Sequence, residues 1–219
     1  MTGVDQLEVR TLSASRGGRP VFRDLSFALA RGGALRLAGR NGGGKTTLLR
    51  VVAGLGRADA GQVLWNGEPV TDDREAHAAR VGWLGHADAL KTALTARENV
   101  EAALRISGQS TDRLGDAMEA LALTRLAELP AGWLSSGQRR RTALARVLAS
   151  GASLWLLDEP TVGLDAASVA ALERAIAAHR AAGGMVIAAT HTALDLGDDA
   201  VNLDPAAHGD AGRLPEAAA

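Results

Sequence analysis

The sequence predicts an α/β fold built on a parallel sheet, and three observations carry that prediction. Leu154 to Leu157 and Met185 to Ala189 are short continuous apolar runs, as expected of parallel strands buried on both faces. Ala34 to Ala38 reads as a strand that enters the glycine-rich segment G-R-N-G-G-G-K-T at residues 39–46, and Thr47 to Leu55 then reads as a helix. From about Thr95 to Leu129 the apolar spacing turns helical, with Leu114, Met118 and Leu121 on one face.

The other elements follow in order. Val21 to Leu29 reads as a strand, parted from Ala34 to Ala38 by the turn Arg31-Gly32-Gly33. Gly54 and Gly56 are placed to end the helix at 47–55. Asn66-Gly67 after Gln62 to Trp65 signals a tight hairpin, and so a small antiparallel layer beside the parallel sheet. Pro130, Gly132 and Trp133 interrupt the helical pattern. Asp165 to Ala182 reads as an alanine-rich helix with Asp165 as its cap and Gly183-Gly184 as its stop. A polar, alanine-rich tail is expected from about Asp204 to 219.

A chain of 219 residues is expected to form one α/β domain over 1–219, with a helical subdomain at about 95–150 and one nucleotide unit. Formal net charge is −1 and the run Arg139 to Arg141 is too short for a basic arm, so it reads as a helix face and no nucleic-acid partner is expected. With no cysteine, the chain offers no disulfide, thiol nucleophile or cysteine-ligated metal. No signal peptide is expected, and the longest apolar runs fall far short of a membrane span.

The segment at 39–46 has the form G-x-x-x-x-G-K-[ST]. Its glycines (Gly39, Gly42, Gly43, Gly44) let backbone N–H groups turn inward around phosphate, together with Arg40, Asn41 and Thr47. Lys45 is placed to reach terminal phosphates and Thr46 to offer a hydroxyl to Mg²⁺. A helix starting here aims its orphan N–H groups and positive dipole at the same anion, so ATP and Mg²⁺ are the expected ligands. Asp158 and Glu159 end an apolar strand, which is costly unless the carboxylates meet metal or water. Asp158 is assigned to the Mg²⁺ shell, and Glu159 to polarising the attacking water. His191, after the Met185 to Ala189 strand, is placed to donate to a γ-phosphate. The open edge of a parallel sheet, where such strands end, is where ligands bind. The L-S-S-G-Q run, Leu134 to Gln138, precedes a helix, so Ser135, Ser136, Gly137 and Gln138 read either as a helix cap or as an anion site at its N-terminus.

This set, in this order across about Leu7 to Leu194, resembles the ABC ATPase superfamily, a P-loop NTPase fold with a small antiparallel β layer and a helical insert. Within it the chain looks most like the haem-exporter ATP-binding subunits of cytochrome c maturation. That likeness rests on residues 82–99 (G-W-L-G-H-A-D-A-L-K-T-A-L-T-A-R-E-N), 133–146, 154–165 and 179–191. Two departures are small: Ser136 stands where alanine or glycine is common, and Gly43 where alanine is frequent.

The resemblance implies ATP hydrolysis coupled to transport. It implies that L-S-S-G-Q faces the ATP of a second copy, so that a homodimer closes on ATP, and that Thr161 to Asp165 lies along the seam. His86 stands where such proteins generally carry a glutamine linking Mg²⁺ and water to the membrane partner. The sequence has no tyrosine, so the aromatic that often stacks on adenine is either replaced or absent, and Arg16, near the expected place, has a guanidinium plane that could stack on the base. The resemblance further implies a peripheral subunit on the cytoplasmic face of a bacterial inner membrane, paired with separate integral membrane subunits of the cytochrome c maturation system. ATP turnover in that family accompanies haem export and release of a haem-loaded chaperone. No haem is expected on this chain, which lacks cysteine and clustered histidines. The alternative is an ATP-binding subunit of an exporter for another substrate. A ribosome- or DNA-acting ATPase needs tandem halves or long inserts that this length does not hold.

Overall fold

Two sheets sandwich the first helix in a computed structural model that describes residues 5–208. Strands β1 (Gln6–Arg16), β2 (Arg19–Ala30), β4 (Ala60–Trp65) and β5 (Glu68–Pro69) form an antiparallel sheet in the order β2-β1-β4-β5. Strands β3 (Ala34–Leu37), β6 (Val81–Leu84), β7 (Leu154–Asp158), β8 (Met185–Ala189) and β9 (Val201–Leu203) form a parallel sheet in the order β6-β7-β8-β3-β9. The helices are α1 (Lys45–Val52), α2 (Arg74–Arg80), α3 (Ala96–Ile106), α4 (Leu114–Ala120), α5 (Ser136–Ala149) and α6 (Ala166–Ala181).

The continuous apolar runs have the physical meaning their sequence implied. Leu154, Leu156, Met185, Ile187 and Ala189 point to the side holding α1 and the antiparallel sheet. Trp155, Leu157, Val186 and Ala188 point to the opposite side, toward α3, α4, α5 and α6. Every residue of β7 and β8 is buried, so neither strand can show polar alternation. The Asn66-Gly67 hairpin is also present: both residues take positive φ (53 and 86°), as a type I′ turn between β4 and β5 demands.

Several expectations need correction. Strand β1 was not read from the sequence, because its pairing breaks between Val9 and Leu12. Thr11 takes φ +46° there, and the buried set switches parity from Leu7 and Val9 to Leu12 and Ala14. A bulge of this kind erases the period-two signal. The helix expected at 47–55 instead begins at Lys45 and ends at Val52, with Gly54 in the left-handed region just beyond. The helical stretch from Thr95 is two helices, separated at 107–113 and followed by a single 3₁₀ turn at Thr124–Leu126. Its expected face holds, with Leu114, Met118 and Leu121 all buried. The tail expected from Asp204 starts as a 3₁₀ turn, Pro205–His208, whose Pro205 is buried; residues 209–219 lie outside the described residues.

Candidate active site

Strand β3 delivers the chain to the loop at 39–44, and α1 leaves it with its N-terminus uncapped by any side chain. Gly44, with φ +92°, makes the turn into the helix, where a side chain would be strained and would press on Val21. Leu48 is the first residue of α1 whose N–H is bonded back, to Gly44 O at 2.8 Å. The preceding N–H groups of Lys45, Thr46 and Thr47 are thus left as donors for an anion. Lys45 is buried, and its ammonium donates to Gly39 O at 2.6 Å and Arg40 O at 3.1 Å. Two of its three donors pin it at the loop mouth, and the third remains for a phosphate oxygen.

Asp158 closes β7 directly opposite. Its Oδ2 accepts from Thr46 Oγ1 at 2.9 Å, which pairs the two hard oxygen groups assigned to a metal shell. Burial pushes the Asp158 carboxyl above its ordinary range; the Thr46 bond opposes that, Glu159 adds to it, and His86 and Arg140 oppose it. Glu159 follows with φ +49°, uncommon for a residue bearing a side chain, and its N–H donates to Ala189 O at 2.8 Å. That conformation sends the carboxylate toward the loop after β8, where His191 Nδ1 stands 2.9 Å from Glu159 Oε2. The pair meets at contact distance without hydrogen-bond angles, and Oε2 is buried with no hydrogen-bond partner. Thr161 and Thr192 join their hydroxyls at 2.6 Å, tying the segment after Glu159 to the loop bearing His191.

These groups surround one cavity of about 340 Å³ lined by Asn41 to Thr47, His86, Asp158, Glu159 and His191, with Arg16, Val21 and Val162 at its edges. Gly39 and Arg40 stand behind it, their carbonyls holding Lys45. No phenylalanine, tyrosine or tryptophan among the described residues lines the cavity, and Arg16 offers a planar guanidinium beside it. Among the described residues no cluster of three or more histidine or acidic side chains could hold a metal by itself. Thr46 and Asp158 alone suit Mg²⁺, which keeps waters and takes its other ligands from phosphates.

Ser135 to Gln138 do not line this cavity. They form a capping box: Ser135 Oγ accepts from Gln138 N at 3.2 Å, and Gln138 Oε1 accepts from Ser135 N at 2.8 Å. A Cβ on Gly137 would sit 2.6 Å from Gly163 O, so this glycine is needed for close approach of the 161–165 segment.

The arginine run is not simply a helix face. Arg140 is buried and donates to the carbonyl oxygens of both Asp158 and Glu159. Sequence reasoning missed it because three consecutive arginines look like surface charge. The available signal was its spacing, since Ala143, Leu144 and Val147 continue its face at i+3, i+4 and i+7 and all are buried.

Comparison with known proteins agrees with this geometry. A family model described as ABC transporter matches residues 22–162. The chain is 48% identical over 200 residues to the cytochrome c biogenesis ATP-binding export protein CcmA of Paramagnetospirillum magneticum, spanning 89% of this chain and 92% of that protein. It is 43% identical over 206 residues to CcmA 1 of Salmonella paratyphi A, spanning 94% and 99%. Among solved structures, an ATP-binding subunit of an ABC transporter superimposes with TM-score 0.78 at 26% identity, over 84% of this chain and 79% of that one. An ABC transporter ATP-binding protein from Pyrococcus furiosus gives TM-score 0.80 at 26% identity, over 93% and 99%.

Proposed function

The chain belongs to the ABC transporter ATP-binding family, among the cytochrome c biogenesis ATP-binding export proteins, and from that membership we propose how its site works. It is the ATP-binding subunit of a cytochrome c biogenesis export system and couples ATP hydrolysis to transport. The observation that carries the mechanism is the meeting of Thr46, Asp158, Glu159 and His191 around the uncapped start of α1.

The α1 N–H groups and Lys45 bind the β- and γ-phosphates of ATP, with Asn41 to Gly44 wrapped around them and Arg16 stacked on the base. Thr46 and Asp158 are the residues that would hold Mg²⁺, which would supply positive charge to neutralise the transferring phosphate. Glu159 orients a water in line with the γ-phosphorus. As the water oxygen bonds phosphorus, its proton passes to Glu159 and the bond to the β-phosphate oxygen breaks, yielding ADP and phosphate. His191 donates to the γ-phosphate and, in contact with Glu159, senses whether it is still attached.

Two copies close head to tail on two ATP molecules, each presenting its Ser135 to Gln138 segment to the ATP of the other. This accounts for the absence of that segment from its own cavity. Closure moves separate integral membrane subunits docked near His86, and the cargo step is haem export with release of a haem-loaded chaperone. The subunit is held peripherally at the cytoplasmic face of the inner membrane; no helix among the described residues is long and apolar enough to cross a membrane.

The test is haem staining of c-type cytochromes in the native host carrying Lys45→Ala, with b-type cytochromes as the internal control. Selective loss of c-type signal is expected. Normal staining would leave an ABC ATPase serving another exporter.

A further inference from the structure

The helix that starts at the L-S-S-G-Q segment reaches the catalytic turn through a single side chain. Arg140 lies one turn into α5 and is only 4% exposed. Its Nη2 donates to Asp158 O and Glu159 O, both at 2.7 Å. Its Nη1 donates to Gly85 O at 2.9 Å and to Asp88 Oδ1 at 3.1 Å. One guanidinium therefore grips the turn that carries the catalytic carboxylate and the loop that carries His86. A second arginine of the same helix, Arg146, donates to Asp88 O and Ala89 O and secures the far end of that loop.

The grip has a physical purpose at Glu159. The residue holds φ +49°, which a side chain disfavours, and relaxation toward negative φ would swing its carboxylate away from His191. Arg140 bonds the carbonyls before and after that strained Cα, so the turn cannot relax without breaking charge-assisted bonds in a buried site. Only a planar fork can reach two carbonyls on one side and a carbonyl with a carboxylate on the other; a lysine ammonium is a single point.

We propose that Arg140 is a positioning residue for ATP hydrolysis, setting the Asp158-Glu159 turn and the His86 loop in one register from the helix that follows L-S-S-G-Q. This rests on the reading of Glu159 as the group that handles the attacking water. Arg141, next in sequence, provides the contrast. It clamps Leu121 O at 2.9 Å and Ala122 O at 3.2 Å by the same chemistry, within the helical part and away from the cavity.

The experiment compares ATP turnover, ATP affinity and melting temperature of the purified full chain for wild type, Arg140→Lys, Arg140→Gln and Arg141→Gln. Both Arg140 variants are expected to lose kcat by roughly 10- to 100-fold, the usual scale for groups that orient a reacting group, with KM and ATP affinity changed less than about threefold. Arg141→Gln is expected to lower the melting temperature and leave kcat intact. A kcat within twofold of wild type in a folded Arg140 variant overturns the proposal, as does a parallel fall of kcat and melting temperature in both Arg140 and Arg141 variants. Should neither Arg140 variant fold, Asp88→Ala loosens the same guanidinium from its more exposed side. A drop in kcat at constant KM then supports the proposal and an unchanged kcat overturns it. Absence of ATP hydrolysis by the wild-type chain would instead sink the ATPase reading itself, and the wild-type control separates the two failures.

Discussion

Thr46 and Asp158, 112 residues apart in sequence, are joined by a 2.9 Å hydrogen bond from Thr46 Oγ1 to Asp158 Oδ2. The bond crosses from the start of α1 to the end of β7, strands β3 and β7 being separated only by β8. It places a hydroxyl and a carboxylate side by side at the phosphate loop, a donor set of hard oxygens matched to Mg²⁺.

Magnesium dependence is the expectation that the proposed metal site carries. Chelation with EDTA is expected to abolish ATP turnover and added Mg²⁺ to restore it. Asp158→Asn is expected to cut kcat on the order of 10²-fold or more, the scale for removing one key electrostatic group. Steady-state ATPase assays across a Mg²⁺ titration check both; turnover by Asp158→Asn at the wild-type rate would remove Asp158 from the shell.

Glu159→Gln keeps the shape of the turn and removes the group proposed to accept the proton. A kcat loss of about 10²–10³-fold is expected, with ATP still bound. If closure on ATP brings two copies together, this variant accumulates as an ATP-bound dimer. Light scattering with and without ATP reads that outcome, and a variant that stays monomeric with ATP bound would contradict the dimer mechanism.

Gly137→Ala introduces a Cβ 2.6 Å from Gly163 O, too close for either backbone to keep its place. The start of α5 and the 161–165 segment must then part. ATP affinity of the isolated chain is expected to hold, because Gly137 does not line its own cavity, while ATP-driven dimerisation and turnover fall. Equilibrium binding and sedimentation in parallel separate the two; unimpaired turnover would show that this contact is not needed for the proposed two-copy site.

His179 supplies a pH prediction on stability. Its ring stacks on Trp155 with centroids 3.9 Å apart and planes 6° from parallel, and burial lowers its pKa to about 4. The Met185 carbonyl partly opposes that shift and Arg113 adds to it. The folded pKa lies below the ordinary 6.5, so between those values the unfolded chain binds a proton that the folded chain refuses. Stability present at pH 7 is therefore lost as pH falls through that window, by about 1–2 kcal/mol after allowance for the exposed part of the ring. His77, buried with its pKa lowered mainly by burial, adds in the same direction. His179→Phe keeps a ring on Trp155 without a titrating nitrogen, and urea unfolding at pH 7 and pH 4.5 should show a flatter pH dependence than wild type. An equal slope in both proteins would assign the acid lability to other groups.

The strands that build the site were legible because burial on both faces leaves unbroken apolar runs, as at Leu154 to Leu157 and Met185 to Ala189. Strand β1 was not, since the bulge near Thr11 breaks the alternation that would have revealed it. Lys45, Thr46, Asp158, Glu159 and His191, which line one cavity, were legible as candidates because each stands at a strand end or helix start, where local sequence already says that the backbone turns.

The sequence by itself determined the α/β class, the phosphate loop, the acids closing one strand and the histidine following another, because these depend on short-range patterns of apolarity and turn residues. Only the tertiary structure decided that Thr46 touches Asp158, that His191 meets Glu159, and that Arg140 holds the Asp158-Glu159 turn instead of facing water. Those contacts join residues far apart in the chain. They arise from the order in which strands enter the sheet and from the close packing of α5 against it, which no local pattern encodes.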